Sequence, residues 1–107
     1  YLLGNKQVGN TVVVVGGGLT GCEIAYDLYR QGKTPIIVEM QDDLMHGSGV
    51  PLANTSYLRD FFKTNKVETH LETRLNAITA GGVTVTHKDG STEDIAADSV
   101  ILSVGYW

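Results

Sequence analysis

A glycine-rich turn between two apolar runs constrains the fold of this chain more than any other feature. The turn contains four glycines: Gly16, Gly17, Gly18 and Gly21. An apolar run, residues 12–15, precedes it, and a helical pattern follows it to about Gln31. A second apolar run, residues 36–38, ends at Glu39. This order predicts a buried strand, a tight turn, a helix and a second parallel strand.

The glycines have separate functions in a turn that binds a dinucleotide. Gly16 allows the chain to leave the strand sharply, Gly18 lets the backbone approach a pyrophosphate, and Gly21 lets the helix pack close to the sheet. Amide groups at the helix start bind phosphate, and Glu39, about twenty residues on, accepts hydrogen bonds from ribose hydroxyls. The combination predicts a nucleotide-binding site. The alternative is a glycine-rich turn that binds no ligand.

The residues after Glu39 favour NAD over NADP. These four residues contain no Arg or Lys that could pair with a 2′-phosphate: Met40, Gln41, Asp42 and Asp43. The nearest preceding base, Lys33, is predicted at the opposite end of the strand. A carboxylate that accepts from the 2′-hydroxyl would also repel a phosphate there.

The length and composition fit one acidic domain. With 107 residues and a net charge of −4, the chain does not favour nucleic acid or an anionic membrane as a partner. No apolar run approaches the ~20 residues that span a bilayer. The chain starts at Tyr1 and ends at Trp107, so we expect a single domain, residues 1–107, cut from a larger protein, with residues 1–10 as a linker. The single cysteine, Cys22, excludes an internal disulfide and favours a reducing cytoplasm.

The next segments predict a second helix and a third strand. Asn54 or Thr55 can cap a helix that extends to about Asn65. Its apolar stripe, which we assign to the core, consists of Tyr57, Leu58, Phe61 and Phe62. Residues 67–70 have the composition of a short strand.

The remaining chain predicts a meander and a final strand. Two hairpin turn signals separate three short β-rich segments: Gly81-Gly82 and Asp89-Gly90 divide residues 74–80, 83–88 and 91–95. An apolar run, residues 100–104, predicts a strand that returns beside the first. The predicted fold class is α/β, a Rossmann-like three-layer domain with a central parallel sheet and a three-stranded antiparallel meander.

Few other residues suggest chemistry. Three histidines, His46, His70 and His87, are far apart, and no acid or cysteine stands at ligand spacing from them. Neither a metal site nor a catalytic histidine is therefore predicted. The neighbouring acids after Met40 are interpreted as solvated loop residues, and Cys22 as a small packing residue rather than a reactive thiol.

The order of the elements resembles the pyridine-nucleotide-binding domain that is inserted into the FAD domain of flavoproteins with two dinucleotide-binding domains. That superfamily includes glutathione reductase and lipoamide dehydrogenase, and the likeness covers nearly the whole chain. Three segments are most similar to its old yellow enzyme branch: GGGLTGCEIAYDL at 16–28, IIVEM at 36–40 and VILSVGY at 100–106. This branch contains NADH:flavin oxidoreductases such as 2-enoate reductase and 2,4-dienoyl-CoA reductase.

The resemblance implies a set of cofactor-binding residues and no catalytic ones. They are Gly16, Gly17, Gly18, Leu19, Thr20 and Gly21 at the pyrophosphate, Glu39 at the adenosine ribose with Met40 beside it, and Leu75, Val104 and Gly105 along the nucleotide. Glu23 would hydrogen-bond the nicotinamide carboxamide. The alternative for Glu23 is a solvated acid in the first helical turn, favoured by the helix dipole. Relatives continue after the closing glycine with a polar or basic residue and Pro-Asn, whereas Tyr106 and Trp107 follow here.

The implied function is an NAD(H)-binding domain that positions NADH for hydride transfer to FAD. FAD, and in this branch FMN and an iron-sulfur cluster, would be bound outside this chain, and the FAD domain of the parent protein would be its partner. Two alternatives are a Rossmann unit that binds FAD itself and a non-catalytic nucleotide-sensing module. Glu23 argues against the first, because FAD units usually have a small or apolar residue there. The meander argues against the second.

The chain by itself is predicted to show no NADH oxidase or enoate reductase activity. Its residues supply no flavin site, no catalytic tyrosine with a proton-relay partner and no pair of redox cysteines. NADH absorbance is followed with the purified chain and an enoate, without added flavin, and no steady decrease is expected. Steady NADH consumption under these conditions would contradict the prediction.

Overall fold

The described residues form a parallel sheet, an antiparallel sheet and two helices. A computed structural model describes residues 10–41, residue 44 and residues 52–103, without the side chains of residues 52–55. The elements are β1 (Thr11–Val15), α1 (Leu19–Arg30), β2 (Thr34–Val38), α2 (Leu52–Thr64), β3 (Glu68–His70), β4 (Thr73–Thr79), β5 (Gly82–His87), β6 (Thr92–Ala96) and β7 (Ser99–Leu102). The predicted linker, apart from Asn10, and the loop acids Asp42 and Asp43 lie outside these residues. Neither described helix is long and apolar enough to cross a membrane.

Strand β1 lies in the interior of the parallel sheet. The order of the sheet is β3-β2-β1-β7, and Val13 of β1 is in register with Ile36 of β2 and Val100 of β7. The four valines at 12–15 are buried, as β-branched residues of a strand covered on both faces should be. The prediction of a central parallel strand is confirmed.

Alternate residues of β1 face two different layers. The even-numbered valines belong to a core cluster with Ala25 of α1 and Leu58 of α2. The odd-numbered valines belong to a second cluster with Val83 and Val85 of β5 and Ile95 of β6. The helices therefore cover one face of the parallel sheet, and the antiparallel sheet covers the other. The predicted three-layer α/β fold is confirmed.

The three strands of the meander pair in the order β4-β5-β6. In the turn between β5 and β6, Gly90 has a φ of +90°, which favours glycine. The Ser91 hydroxyl and amide donate to Asp89 Oδ1 at 2.6 and 2.9 Å. These two bonds lower the pKa of the Asp89 carboxyl from its ordinary value. The predicted meander is confirmed, with an additional bulge between Leu75 and Ala77.

Two element boundaries differ from the predictions. Helix α2 begins at Leu52, so Asn54 and Thr55 lie inside the helix and neither can be its cap. The last described strand is Ser99–Leu102, and Val104, which was predicted to belong to it, lies outside the described residues.

Only some residues of the predicted apolar stripe of α2 belong to the core. Leu58 and Phe62 are buried, and Phe61 is half-buried. Tyr57 is 53% exposed, so its assignment to the core is wrong. Its ring lies edge-on to Tyr26, with 6.0 Å between the ring centroids. A tyrosine at the margin of a helix face keeps its hydroxyl in water while its ring covers apolar neighbours.

Replacement of Gly21 by Val is expected to destabilise the fold by about 2–3 kcal/mol, the upper range for overpacking. A Cβ at Gly21 would overlap the carbonyl oxygen of Gly16 and lie 3.3 Å from Ser103 Oγ, so α1 would have to move away from the sheet. Urea unfolding followed by circular dichroism measures the effect. The control is Gly18→Ser, because a Cβ there has no described neighbour within 4 Å and serine is favoured at a helix N-cap. Equal unfolding midpoints for the two variants would contradict the close packing at Gly21.

Candidate functional site

The glycine turn connects the carboxyl end of β1 to α1. Gly16 has a φ of +108°, which residues with a side chain rarely adopt, and its amide donates to the Val38 carbonyl oxygen at 2.8 Å. The chain therefore leaves β1 sharply while it remains bonded to β2. Gly21 lies so close to Gly16 that a side chain would overlap the Gly16 carbonyl oxygen. This geometry agrees with a sharp exit at Gly16 and close packing at Gly21.

Helix α1 begins at an exposed glycine. Gly18 is the N-cap residue, and no side chain among the described residues caps this helix start. The Cys22 amide donates to the Gly18 carbonyl oxygen at 2.9 Å, and the amides of Leu19, Thr20 and Gly21 precede that bond without a partner inside the helix. A Cβ at Gly18 would meet no described atom within 4 Å. The helix start therefore offers several amide donors and open space, which suit a pyrophosphate.

The carboxylate of Glu39 clamps the glycine turn to the end of β2. The Gly17 amide donates to Glu39 Oε1 and the Gln41 amide donates to Oε2, both at 2.6 Å. Gly17 is buried, and a Cβ there would lie 2.8 Å from Leu44 Cδ2. The carboxylate oxygens keep further lone pairs that ribose hydroxyls could use. The sequence predicts the ribose contact but not the clamp, because residue spacing does not report side-chain contacts.

Helix α1 carries Glu23 on its exposed side and Cys22 on its buried side. Glu23 is exposed, and α1 begins at Leu19 with no acid in its first turn. The exposure of Glu23 agrees with the alternative interpretation as a solvated acid, but the placement in the first turn is wrong, and the dipole effect falls off within that turn. The contact of Glu23 with a nicotinamide carboxamide stays a prediction. Cys22 is buried in the core cluster, and its thiol lies 3.4 Å from the Gly17 carbonyl oxygen, in agreement with a packing residue.

A cleft of about 570 Å³ lies beside the end of β2. Its lining residues are Met40, Gln41, Glu72, Arg74, Thr86, His87, Lys88 and Gly90. Met40 is 66% exposed, and Lys88 Nζ lies 3.0 Å from Glu72 Oε2. No base is among the four residues after Glu39, but two bases reach this cleft from elsewhere in the chain. Strand β4 and the turn after β5 bring Arg74 and Lys88 to the cleft, although neither is near Glu39 in the sequence.

Three further predicted cofactor contacts stay predictions. Leu75 is partly buried against the core cluster between the two sheets. Because side chains alternate along a strand, Leu75 faces away from its neighbour Arg74, which lines the cleft. Val104 and Gly105 lie outside the described residues.

The structure brings two of the three histidines together. The rings of His70 and His87 have 5.9 Å between their centroids. Each ring has a carboxylate oxygen at 2.7 Å, from Glu68 and Glu93 respectively. The expectation that the histidines lie apart without acidic partners is therefore wrong for this pair, while His46 lies outside the described residues. Sequence spacing carried no signal, because β3 and β5 belong to different sheets.

The chain is similar to several curated oxidoreductases. It is 40% identical over 107 residues to the cinnamate reductase of Clostridium sporogenes, which covers 98% of this chain and 16% of that protein. It is 35% identical over 100 residues to the NADH oxidase of Thermoanaerobacter brockii, which covers 88% of this chain and 14% of that protein. The chain thus spans less than a fifth of the length of these two relatives.

Solved structures and a family sequence profile agree with the fold. A 2-naphthoyl-CoA reductase superimposes with a TM-score of 0.84 at 23% identity, over 92% of this chain and 15% of that one. A ferredoxin reductase from Rhodopseudomonas palustris superimposes with a TM-score of 0.70 at 30% identity, over 90% and 24% of the two chains. The profile described as pyridine nucleotide-disulphide oxidoreductase matches residues 2–107. This match includes the glycine turn, the parallel sheet and the meander. The chain therefore belongs to the pyridine nucleotide-disulphide oxidoreductase family.

Proposed function

We propose that this chain is the NAD(H)-binding domain of a flavin-dependent oxidoreductase and positions NADH for hydride transfer to FAD. The observation that carries the proposal is the open start of α1 at Gly18, which follows the residue clamped by Glu39. Amide donors suit a pyrophosphate, and the carboxylate suits ribose hydroxyls. When bound, NADH supplies the hydride, and the domain contributes binding and orientation.

The proposed cofactor contacts follow the turn and the strand ends. They are Gly16, Gly17, Gly18, Leu19, Thr20 and Gly21 at the pyrophosphate, Glu39 and Met40 at the adenosine ribose, Glu23 at the nicotinamide carboxamide, and Leu75, Val104 and Gly105 along the nucleotide. The exposed position of Glu23 leaves its carboxylate accessible to a ligand.

The FAD is proposed to bind to another domain of the parent protein, outside this chain. Relatives such as the cinnamate reductase are about six times as long as the segment they share with this chain, since that segment is 16% of their length. The 40% identity to a reductase named for an unsaturated acid supports the old yellow enzyme branch with its 2-enoate reductases. FMN and an iron-sulfur cluster would then also lie outside this chain. The single cysteine supports a cytoplasmic location.

The proposed site prefers NAD(H) to NADP(H) because of Glu39. A 2′-phosphate would lose the hydrogen bond that the 2′-hydroxyl donates and would meet a like charge. Two like charges about 4 Å apart repel by about 4 kcal/mol at an effective dielectric of about 20, and solvent reduces this to about 2–3 kcal/mol. Arg74 and Lys88 in the cleft act in the opposite direction, but Glu72 pairs with Lys88 and weakens its contribution.

The chain is expected to bind NADH about 30- to 150-fold more tightly than NADPH, and Glu39→Gln should lower this ratio below about fivefold. Glutamine loses the charge but keeps an oxygen that can accept from the Gly17 amide, so the clamp is partly retained. Isothermal titration calorimetry with NADH, NADPH and FAD at one salt concentration measures the affinities.

The control for this titration is Arg74→Gln, which removes a positive charge from the cleft and should raise the preference for NADH. Equal affinities of the parent for NADH and NADPH would remove Glu39 from the discriminating role. Tighter binding of FAD than of NADH would show that the turn belongs to a flavin site.

Replacement of Gly18 by Val is expected to weaken NADH binding by about 10- to 100-fold while the fold is retained, because a branched side chain would occupy the space over the helix amides. Calorimetry measures the affinity, and circular dichroism checks the fold. The matched control is Gly81→Val, since a Cβ there also meets no described atom within 4 Å but lies in the turn between β4 and β5. If Gly18→Val bound NADH as tightly as Gly81→Val, the pyrophosphate site would have to lie elsewhere.

A further inference from the structure

A cluster of two histidines and two glutamates lies between the parallel sheet and the meander. His70 belongs to β3, His87 to β5 and Glu93 to β6, and one potential ligand atom from each lies within 4.8 Å of the others. Glu68, also on β3, contacts His70 at 2.7 Å. None of these four residues belongs to the proposed cofactor contacts.

The alternation of side chains brings these residues to the same face. His70 is in register with Val38 and Glu68 with Ile36, and both apolar partners belong to the core cluster beneath the meander. On the meander, Glu93 is in register with Val85, which faces the same cluster, and His87 follows two residues after Val85. The polar side chains of β3 and those of β5 and β6 therefore lie on the two sheet faces that enclose this core, and they meet at its edge.

The hydrogen bonds of Thr73 determine which nitrogen of His87 carries its proton. Thr73 is only 1% exposed, and its hydroxyl lies 2.8 Å from the Leu71 carbonyl oxygen, which can only accept. The single hydroxyl proton is therefore directed to Leu71, and Thr73 Oγ1 accepts from His87 Nδ1 at 3.0 Å. The Nε2 atom of the neutral ring then has a lone pair, as a metal-ligating histidine requires.

That lone pair faces a carboxylate. His87 Nε2 lies 2.7 Å from Glu93 Oε1, a hydrogen-bond distance that a second ring proton would satisfy, and a divalent cation bound by both atoms would take the place of that proton. His70 Nε2 lies at the same distance, 2.7 Å, from Glu68 Oε2, so each imidazole is paired with a carboxylate. The histidine side chains are 17% and 28% exposed and the glutamate side chains 55% and 48%, so the rings are held by their surroundings while the carboxylates remain accessible from solvent.

We propose that His70, His87 and Glu93 form a binding site for a divalent late transition metal of the Zn²⁺ class, with Glu68 as a further carboxylate ligand. Two imidazoles and a carboxylate match the ligands of this class, whereas Mg²⁺ and Ca²⁺ prefer oxygen alone. Metal–ligand distances of about 2.0–2.2 Å require the His87–Glu93 contact to open, which rotation of the exposed glutamate allows. Thr73 acts as a positioning residue that orients the His87 ring.

Metal bound at this site would connect the two sheets. Its ligands come from β3 in the parallel sheet and from β5 and β6 in the meander. A ligand that binds only the folded chain raises its stability, so Zn²⁺ should raise the unfolding midpoint in a concentration-dependent way. The proposal does not depend on nucleotide binding, because neither the ligands nor Thr73 are among the proposed cofactor contacts.

The test uses the whole chain after chelator treatment and removal of the chelator. Calorimetric titration with ZnCl₂ is expected to show one saturable site with a Kd below about 100 µM, and MgCl₂ should show none. With Co²⁺ as the probe, visible absorption should report a site of low coordination number. Proton NMR should show that Zn²⁺ changes the ring resonances of His70 and His87.

Variants separate this site from adventitious surface binding. His87→Gln and Glu93→Gln should each weaken Zn²⁺ binding by at least about tenfold, and Thr73→Val by about 10-fold with a changed Co²⁺ spectrum. The matched control is Asp94→Asn, because Asp94 lies on the outer face of β6, where it accepts from the Thr84 hydroxyl at 2.9 Å. The Asp94→Asn variant should bind Zn²⁺ with the same affinity as the parent chain.

Three outcomes would overturn the proposal. The first is the absence of saturable Zn²⁺ binding, which would show that the contacts between the histidines and the glutamates are hydrogen bonds that no metal replaces. The second is an equal loss of affinity in Glu93→Gln and Asp94→Asn. The third is a change in the ring resonances of His46 alone. Glu93 and Asp94 are both exposed, so these two substitutions should leave the fold unchanged and keep the comparison valid.

Discussion

The hydrogen bonds of Glu39 join three parts of the molecule, and the geometry of the candidate site depends on them. The carboxylate accepts from the amides of Gly17 and Gln41 at 2.6 Å. The Glu39 amide donates to the His70 carbonyl oxygen at 2.9 Å, and its carbonyl oxygen accepts from the Thr73 amide at 3.0 Å. The glycine turn, the end of β3 and the start of the meander are therefore held together at one residue.

The glycines of the turn differ in what surrounds them, although they look alike in the sequence. Gly21 and Gly17 are packed against other atoms, so a side chain at either position would collide with its neighbours. Gly18 is exposed, and no atom of the described residues lies within 4 Å of a Cβ built there. Of these three glycines, Gly17 and Gly21 therefore serve the packing of the turn, and Gly18 leaves room for a ligand. Because Glu39 also contributes to that packing, a charge-neutral glutamine is a cleaner probe of its proposed ribose contact than alanine.

The meander does more than cover the parallel sheet. It carries Arg74 and Lys88 to a cleft beside the end of β2, and it carries His87 to His70. The His70 carbonyl oxygen accepts from the Glu39 amide, so the proposed metal site and the proposed nucleotide site are one backbone hydrogen bond apart. The same layer thus contributes charge to one site and ligands to the other.

The sequence by itself determined the strands, the first helix, the meander and the candidate nucleotide turn, because runs of apolar residues, hairpin turn signals and glycine spacing act over short distances along the chain. It did not determine the start of α2 at Leu52. Asn54 and Thr55 have the polar side chains that are typical of helix caps, and they predicted a later start. The contact between His70 and His87, seventeen residues apart, was decided only by the tertiary structure. Such contacts depend on which faces of two sheets are stacked and how far they are shifted, and a local pattern does not contain that information.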